Sequence, residues 1–443
     1  MKITFFGGAS EVGRSCSLIE SKGRKILVDA GIKLGPEKEE ERLPLLPIEL
    51  MKQIEGIIVT HAHIDHTAFI PFIVKNGFEG KIYITKPSRD IMHLLLSDSV
   101  KLAKLNKKDI YSEKDVNNTM KLIELMEYKE EKEILPEVKL KFYEAGHILG
   151  SAQALIKIEG KNVLFTGDIN TRESRLLKEA EMPEEKIDVL ITESTYAGKN
   201  DLLPSLKNSS KLLADEIKET MKKKGKVLIP VFAVGRGQEI LFSLENYIRS
   251  NYLPALNVFV DGMIKKATRI YRHNVIYMRP EIPNRILRAD DDPFKSKYFK
   301  TPKKKNKGDV MKARNCVIIA TSGMLSGGPS ISYLRKISRN PKNKLIIVGY
   351  QAQGTNGRKL SDGAKQIKLN GRKTKINCEV KAVKFSGHAD HNGLRDYIQK
   401  IGPEFLVLVH GEKEKIPEIK DAVHKSLKET KIIIPELKQE IQF

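Results

Sequence analysis

The chain has 443 residues, with 78 Lys and Arg against 56 Asp and Glu and a formal charge of +22. That length can bury a sizeable core and predicts two domains. A balance this basic favours polyanionic partners, nucleic acid ahead of an anionic membrane. A heat-adapted surface rich in Lys and Glu would explain the abundance of charge but not its imbalance. No apolar run is long enough to span a bilayer and the start, Met1–Phe6, reads as a strand rather than a signal peptide, so a soluble, cytoplasmic protein is expected. The three cysteines, Cys16, Cys316 and Cys378, lack metal-ligand spacing and are too few for a disulfide framework. Trp is absent, so any base stacking falls to Phe, Tyr, His or Arg.

As far as about Asn200 the chain reads as short strands with a few helices. Lys2–Phe6, Ser17–Glu20 and Lys25–Asp29 alternate or run apolar between Gly-rich turns. The next apolar run, Ile57–Val59, leads into His61-Ala62-His63-Ile64-Asp65-His66. Three of the chain's ten histidines and one carboxylate fall within those six positions. Zinc takes nitrogen and oxygen donors at about 2.0–2.2 Å and favours about four of them. The loop therefore reads as a metal site completed from elsewhere; a surface loop rich in histidine is the bland alternative. Helices are predicted over Ser88–Leu105 and Glu113–Glu127, and strands over Leu140–Glu144, Ala154–Glu159, Val163–Thr166 and Val189–Thr192. Gly146-His147-Ile148-Leu149-Gly150-Ser151 sets a lone histidine at one strand end, and Thr166-Gly167-Asp168 a carboxylate at another. Each alone would be an ordinary buried His or a turn Asp, but strand ends converge on one edge of a sheet, where both can join the metal loop.

From about Asp201 helices and strands alternate. Leu203–Lys224 and Gln238–Arg249 read as helices, and Val227–Val231, Leu256–Val260, Val317–Thr321 and Leu345–Gly349 as strands, which predicts a parallel α/β unit. Within it, Pro302–Lys307 is a basic loop whose Lys303, Lys304 and Lys305 are candidate RNA-phosphate contacts. The Ser322–Gly328 turn offers Ser322 and Gly323 as a backbone phosphate cradle, unless it is a plain strand-to-helix turn. Gly235-Arg236-Gly237 lacks the third glycine of a dinucleotide fingerprint, and no nucleotide cofactor is expected. After about Asn377 the first texture returns, with strands at Ala382–Phe385 and Glu404–Val409 and helices at Gly393–Lys400 and Ile416–Leu427. One domain, 1–200 and 377–443, is thus expected to be interrupted by another, 201–376.

The His61–His66 run, with His147 and Asp168 in order behind it, resembles the signature of the metallo-β-lactamase superfamily of zinc hydrolases. Glu193-Ser194-Thr195-Tyr196, Phe385-Ser386-Gly387-His388-Ala389-Asp390 and Val409-His410-Gly411-Glu412 resemble the additional motifs of its β-CASP nucleases. Pro230–Arg236 and Gly349–Thr355 resemble the archaeal relatives of the nuclease subunit of the cleavage and polyadenylation specificity factor more than ribonuclease J. One archaeal group carries a KH-type extension, which the reading from Met1 does not include. The resemblance implies an αββα sandwich with an inserted parallel α/β β-CASP domain, and single-stranded RNA held in the cleft between them. It implies two Zn2+ ions: His61, His63 and His147 would hold one, Asp65, His66 and His410 the other, and Asp168 would bridge them. Asp29 is expected to orient the ligands without binding metal. His388 would be the general acid for the leaving oxygen, held by Glu193. The implied activity is RNA phosphodiester hydrolysis, endonucleolytic or 5′-to-3′ exonucleolytic, and related proteins often dimerise. The rival readings are a DNA nuclease, whose members usually lack the histidine found at His410, and a non-catalytic RNA-binding subunit, which would have lost ligands. A small-molecule hydrolase would not need the insert.

Overall fold

This computed structural model describes residues 1–35, 39–106, 110–303, 307–369 and 371–443. Lys304 and Lys305 of the basic loop lie outside the described residues. The chain forms two compact units, the first comprising Met1–Glu173, Leu177–Leu202 and Gly387–Phe443, the second Ser174–Leu176 and Leu203–Ser386.

Among the described residues the first unit carries two seven-stranded sheets. In spatial order one runs Glu440–Gln442, Lys2–Gly7, Cys16–Ser21, Arg24–Val28, Gly56–Ile58, Lys81–Ile84, Ile123–Leu125. The other runs Lys431–Ile433, Phe405–Val409, Val189–Glu193, Lys161–Phe165, Ala152–Ile158, Val138–Glu144, Glu131–Leu135. Alternation of side chains across each strand builds the layers. Ala154, Ile156, Val189, Ile191 and Val407 meet Ile3, Phe5, Ile19, Ile26 and Val28 in a core between the sheets. Leu155, Leu190, Leu406 and Leu408, one residue out of phase, pack on Leu394, Tyr397, Ile398, Ile416 and Ile419 of the helices His391–Ile401 and Ile416–His424. Strands covered on both faces read as continuous apolar runs, as these do.

Among the described residues the second unit carries a six-stranded, all-parallel sheet in the order Phe299–Lys300, Asn257–Asp261, Cys316–Ala320, Val227–Pro230, Lys344–Val348, Glu379–Val383, and a separate antiparallel pair, Gln366–Leu369 with Arg372–Lys375. One face carries the helices Leu206–Lys222 and Arg236–Arg249, through Leu213, Ile217, Ile240 and Leu244. The other carries Gly328–Ile337 and Asn356–Ser361, through Ile331, Leu334 and Leu360.

Two expectations need correction. The helix expected over Glu113–Glu127 ends at Lys121, and Ile123–Leu125 becomes a strand parallel to Lys81–Ile84. An open sheet edge offered this short apolar stretch ladder hydrogen bonds, and tertiary pairing overrode local helical spacing. The strand expected over Ala382–Phe385 as part of the returning first domain is Glu379–Val383, and it pairs with Lys344–Val348. The second unit therefore extends to Ser386 rather than residue 376, because a hydrogen-bonded edge strand belongs to its sheet whatever its composition.

The insert also contains a buried ammonium. The Lys344 side chain is 1% exposed, contacts Glu216 and lies 3.0 Å from Glu219 and 3.1 Å from Glu379. Removing one partner of a buried pair leaves the other desolvated without compensation. Lys344→Met should therefore cost about 3 kcal/mol in a denaturant titration, the low end for buried pairs because Glu219 and Glu379 are half-exposed. An unchanged midpoint would show that the three carboxylates are solvated without the lysine.

Candidate metal centre

The first unit delivers its polar side chains to one place because of strand direction. Arg24–Val28 and Gly56–Ile58 are parallel, as are Lys161–Phe165, Val189–Glu193 and Phe405–Val409. Asp29, His61, Asp168, Glu193 and His410 sit at or just beyond the carboxyl ends of these strands. Asp29 and His410 hold left-handed backbone, φ 57° and 50°, which costs a non-glycine residue about 1–2 kcal/mol. Such strain persists where surrounding contacts over-determine it; here the His410 N–H donates to Gly8 O at 2.7 Å and the Asp29 N–H to Ile58 O at 2.8 Å.

The side chains read from the sequence as ligands fall into two groups, His61, His63, His147 and Asp168 in one and Asp65, His66 and His410 in the other. Asp168 faces both. Its Oδ2 lies 3.5 Å from His61 Nε2 and 3.6 Å from His147 Nε2, and its Oδ1 lies 3.5 Å from His66 Nε2 and 3.6 Å from His410 Nδ1. His63 Nδ1 and His147 Nε2 are 3.1 Å apart. His61 Nε2, His63 Nε2, Asp168 Oδ1 and His410 Nε2 are buried with no hydrogen-bond partner in the protein. Buried polar atoms left unpaired are costly and rare. Nitrogen and carboxylate atoms converging in this way suit a divalent cation of the zinc type.

The electrostatics agree for the first group, whereas in the second the neighbouring carboxylates outweigh burial and hold His66 and His410 above the imidazole range. Burial holds His61, His63 and His147 below the ordinary imidazole range, which keeps a lone pair available on each ring. Burial would push the Asp168 carboxyl up, but His410, His66, His61 and His388 outweigh it and hold it well below the carboxylate range. Asp65 is lowered too, because His410 at 3.6 Å and the other nearby imidazoles overcome its burial.

Asp29 supports this set from behind. Its Oδ2 accepts from His66 Nδ1 and from the Thr60 hydroxyl, both at 2.7 Å, and its Oδ1 accepts the Thr60 backbone N–H at 2.8 Å. His388 comes from a distant segment, pinned by the Ala389 N–H donating to Ile169 O at 2.7 Å and by His147 Nδ1–H donating to Gly387 O at 2.8 Å. Its own Nδ1 lies 2.9 and 3.0 Å from the two oxygens of Glu193 and 4.0 Å from Asp168 Oδ2. Glu193 Oε1 also accepts the Ile169 N–H at 2.8 Å, so one carboxylate steadies both His388 and the residue after Asp168.

Several contributors escaped the sequence reading. Thr60, Thr195 and Ser15 place hydroxyls against His61, His410 and His66. Asp390 caps the helix that follows His388 and pairs with Arg172 at 2.6 Å. Gly31 passes so close to the metal loop that a Cβ there would fall 1.7 Å from Asp65 O and 2.3 Å from His66 N. The one sequence signal was a glycine two residues beyond a strand-end Asp. Gly31→Ala should displace Asp65 and His66 and weaken cation binding at least about tenfold, measured by chelator competition; wild-type affinity would mean that the loop retreats with its ligands in register.

Other candidates are not part of this group. Ser322 donates its backbone N–H to Gly327 O at 3.4 Å, and its hydroxyl and carbonyl take the N–H groups of Ser326 and Leu325. Much of that turn's hydrogen bonding is thus spent internally, and a Cβ on Gly323 would meet Phe232 N at 2.9 Å, so the glycine permits close packing. Lys303 is exposed. Lys307, at the end of the basic loop, lies 3.4 Å from Asp261 and over the Tyr333 ring.

A metal-holding αββα core with a parallel α/β insert defines a class of hydrolase, and comparison with known proteins agrees. The profile of the Metallo-beta-lactamase superfamily matches residues 9–220, that of the Beta-Casp domain 237–360, and that of the Zn-dependent metallo-hydrolase RNA specificity domain 373–435. The chain belongs to the β-CASP ribonuclease family of the metallo-β-lactamase superfamily. An RNase J-like protein of Methanocaldococcus jannaschii is 40% identical over 427 residues, which cover 96% of each chain. Transcription termination factor FttA of the same organism is 39% identical over 441 residues, across 97% of this chain and 69% of FttA. A crystal structure of a protein of unknown function from Enterococcus faecalis matches with a TM-score of 0.60 over 99% of both chains at 14% identity, a likeness of fold. Among the described residues no helix is long and apolar enough to cross a membrane.

Proposed function

We propose that this protein hydrolyses RNA phosphodiester bonds with two zinc ions. His61, His63, His147 and Asp168 would hold one, and Asp65, His66, His410 and the second oxygen of Asp168 the other. The observation that carries this reading is Asp168, whose two oxygens each face imidazoles of a different group at 3.5–3.6 Å. When bound, such a pair supplies Lewis acidity to a phosphoryl centre and lowers the pKa of a water. The chain's own residues do the rest. Asp29 fixes the His66 ring, Glu193 fixes His388, and His388 holds a proton for the leaving oxygen. RNA as substrate is supported by the family and by relatives named as RNase J-like. A DNA nuclease is the second reading, and a non-catalytic subunit is disfavoured because every ligand position is filled.

The test is product analysis on RNAs labelled at the 5′ end and bearing triphosphate, monophosphate or hydroxyl, beside DNA of the same sequence. RNA cleavage that stops on chelation is expected, and the product lengths separate endonucleolytic from 5′-to-3′ activity. RNA left intact, or DNA cut equally well, would reject the reading.

Binding should run largely through phosphates. In the insert, the helix Ile264–His273 buries Ile264, Ala267, Thr268 and Tyr271 and exposes Lys265, Lys266, Arg269 and His273. Replacing Lys265, Lys266 and Arg269 with Gln should weaken single-stranded RNA binding and flatten the slope of log affinity against log salt by about 0.7 for each phosphate no longer neutralised. An unchanged slope would place the RNA on another face.

A further inference from the structure

We propose that two threonine hydroxyls, Thr60 and Thr195, are positioning residues that set the ring tautomers of His61 and His410, one in each half of the metal site. The inference rests on the metal reading above. The Thr60 Oγ1 lies 2.7 Å from Asp29 Oδ2 and 3.2 Å from His61 Nδ1. A hydroxyl has one proton, and a carboxylate only accepts, so Thr60 donates to Asp29 and must accept from His61. His61 then carries its proton on Nδ1, and its Nε2, buried and without a partner, presents a lone pair to the site. Asp29 thereby orients a ligand of each group, His66 directly and His61 through Thr60.

Thr195 mirrors this arrangement. Its Oγ1 lies 3.3 Å from the His410 carbonyl, which only accepts, and 3.2 Å from His410 Nδ1. With the hydroxyl proton directed to the carbonyl, His410 carries its proton on Nδ1 and bares Nε2, the atom buried without a partner and 3.6 Å from Asp65 Oδ2. His66 and His147 are anchored at Nδ1 by Asp29 and by the Gly387 carbonyl. His63 lies outside this pattern: its Nδ1 faces His147 Nε2, and its Nε2 is also buried without a partner. The expected pattern is thus Nδ1–H on His61, His66, His147 and His410.

Long-range 1H–15N spectra of the histidine rings in the zinc-loaded full chain test this directly. Nε2–H on His61 or His410 would overturn the proposal, whatever the variants do. Zinc competition against a chromophoric chelator adds the energetic side. Thr60→Val, which keeps shape and removes the hydroxyl, should weaken one of the two binding steps about 10–100-fold, and Thr195→Val the other. Thr60→Ser and Thr195→Ser should restore both, which a packing role for the γ-methyl would not. Valine variants that match wild type, or serine variants that fail to rescue, would overturn this inference alone. A wild-type chain that takes up no zinc would overturn the metal reading and this inference with it.

Discussion

His388→Ala should retain its fold and its metal and bind RNA normally, yet cleave roughly 10²–10⁴-fold more slowly, the usual loss when one general acid is removed. Its Nδ1 is engaged by both oxygens of Glu193 at 2.9 and 3.0 Å, so the proposed proton donor is Nε2. Burial opposes a charge on this ring, but Glu193 and Asp168 outweigh it and bring its pKa up to about 9. A group with a raised pKa is protonated below that value and loses its proton as pH rises through it. Cleavage that needs this proton should therefore fall on the alkaline side wherever bond breaking limits the rate. His388→Ala should lack that alkaline fall, and Glu193→Gln should show a smaller defect of the same kind because it alters only the orientation and basicity of His388. Single-turnover rates across pH, paired with elemental analysis, decide the matter. Loss of metal from His388→Ala would make the residue a ligand and require the set containing His410 to be redrawn.

Asp168→Ala should be more severe and of a different kind. It removes the carboxylate that faces His61 and His147 with one oxygen and His66 and His410 with the other. Four imidazoles would then crowd a buried space without the carboxylate they share. Neither zinc should remain after dialysis, and cleavage should fall at least about 10³-fold, since the lost Lewis acidity amounts to several kcal/mol. His63→Ala touches one group only, and elemental analysis should find one zinc where two are expected for the wild type, with activity lost alongside it. If Asp168→Ala kept one ion and His63→Ala kept two, the bridging role would be wrong and the sites would be independent.

The sequence alone disclosed the chemistry that is local in the chain. Three imidazoles and a carboxylate within six positions after an apolar strand can be read as a metal loop, because spacing and residue type are both covalent properties. His147 and Asp168 were legible for a related reason, since each follows an apolar run whose end falls at one edge of a sheet, whereas Glu193 and His410 were singled out only through the resemblance of their motifs to the β-CASP nucleases. The alternation of the insert likewise announced a parallel sheet flanked by helices.

Tertiary structure decided what depends on partners distant in the chain. Ile123–Leu125 is a strand because Lys81–Ile84 had a free edge, and Glu379–Val383 belongs to the insert because it pairs with Lys344–Val348. Neither fact is encoded in the segment itself. Thr60, Thr195 and Gly31 matter through what lies opposite them: a carboxylate and two imidazole nitrogens for the hydroxyls, the Asp65 carbonyl for the missing Cβ. Threonine and glycine are common in any chain and carry no mark of such a role. A ligand's identity is written in its own side chain, whereas its orientation is set by a neighbour's single proton or missing atom, which only the folded arrangement supplies.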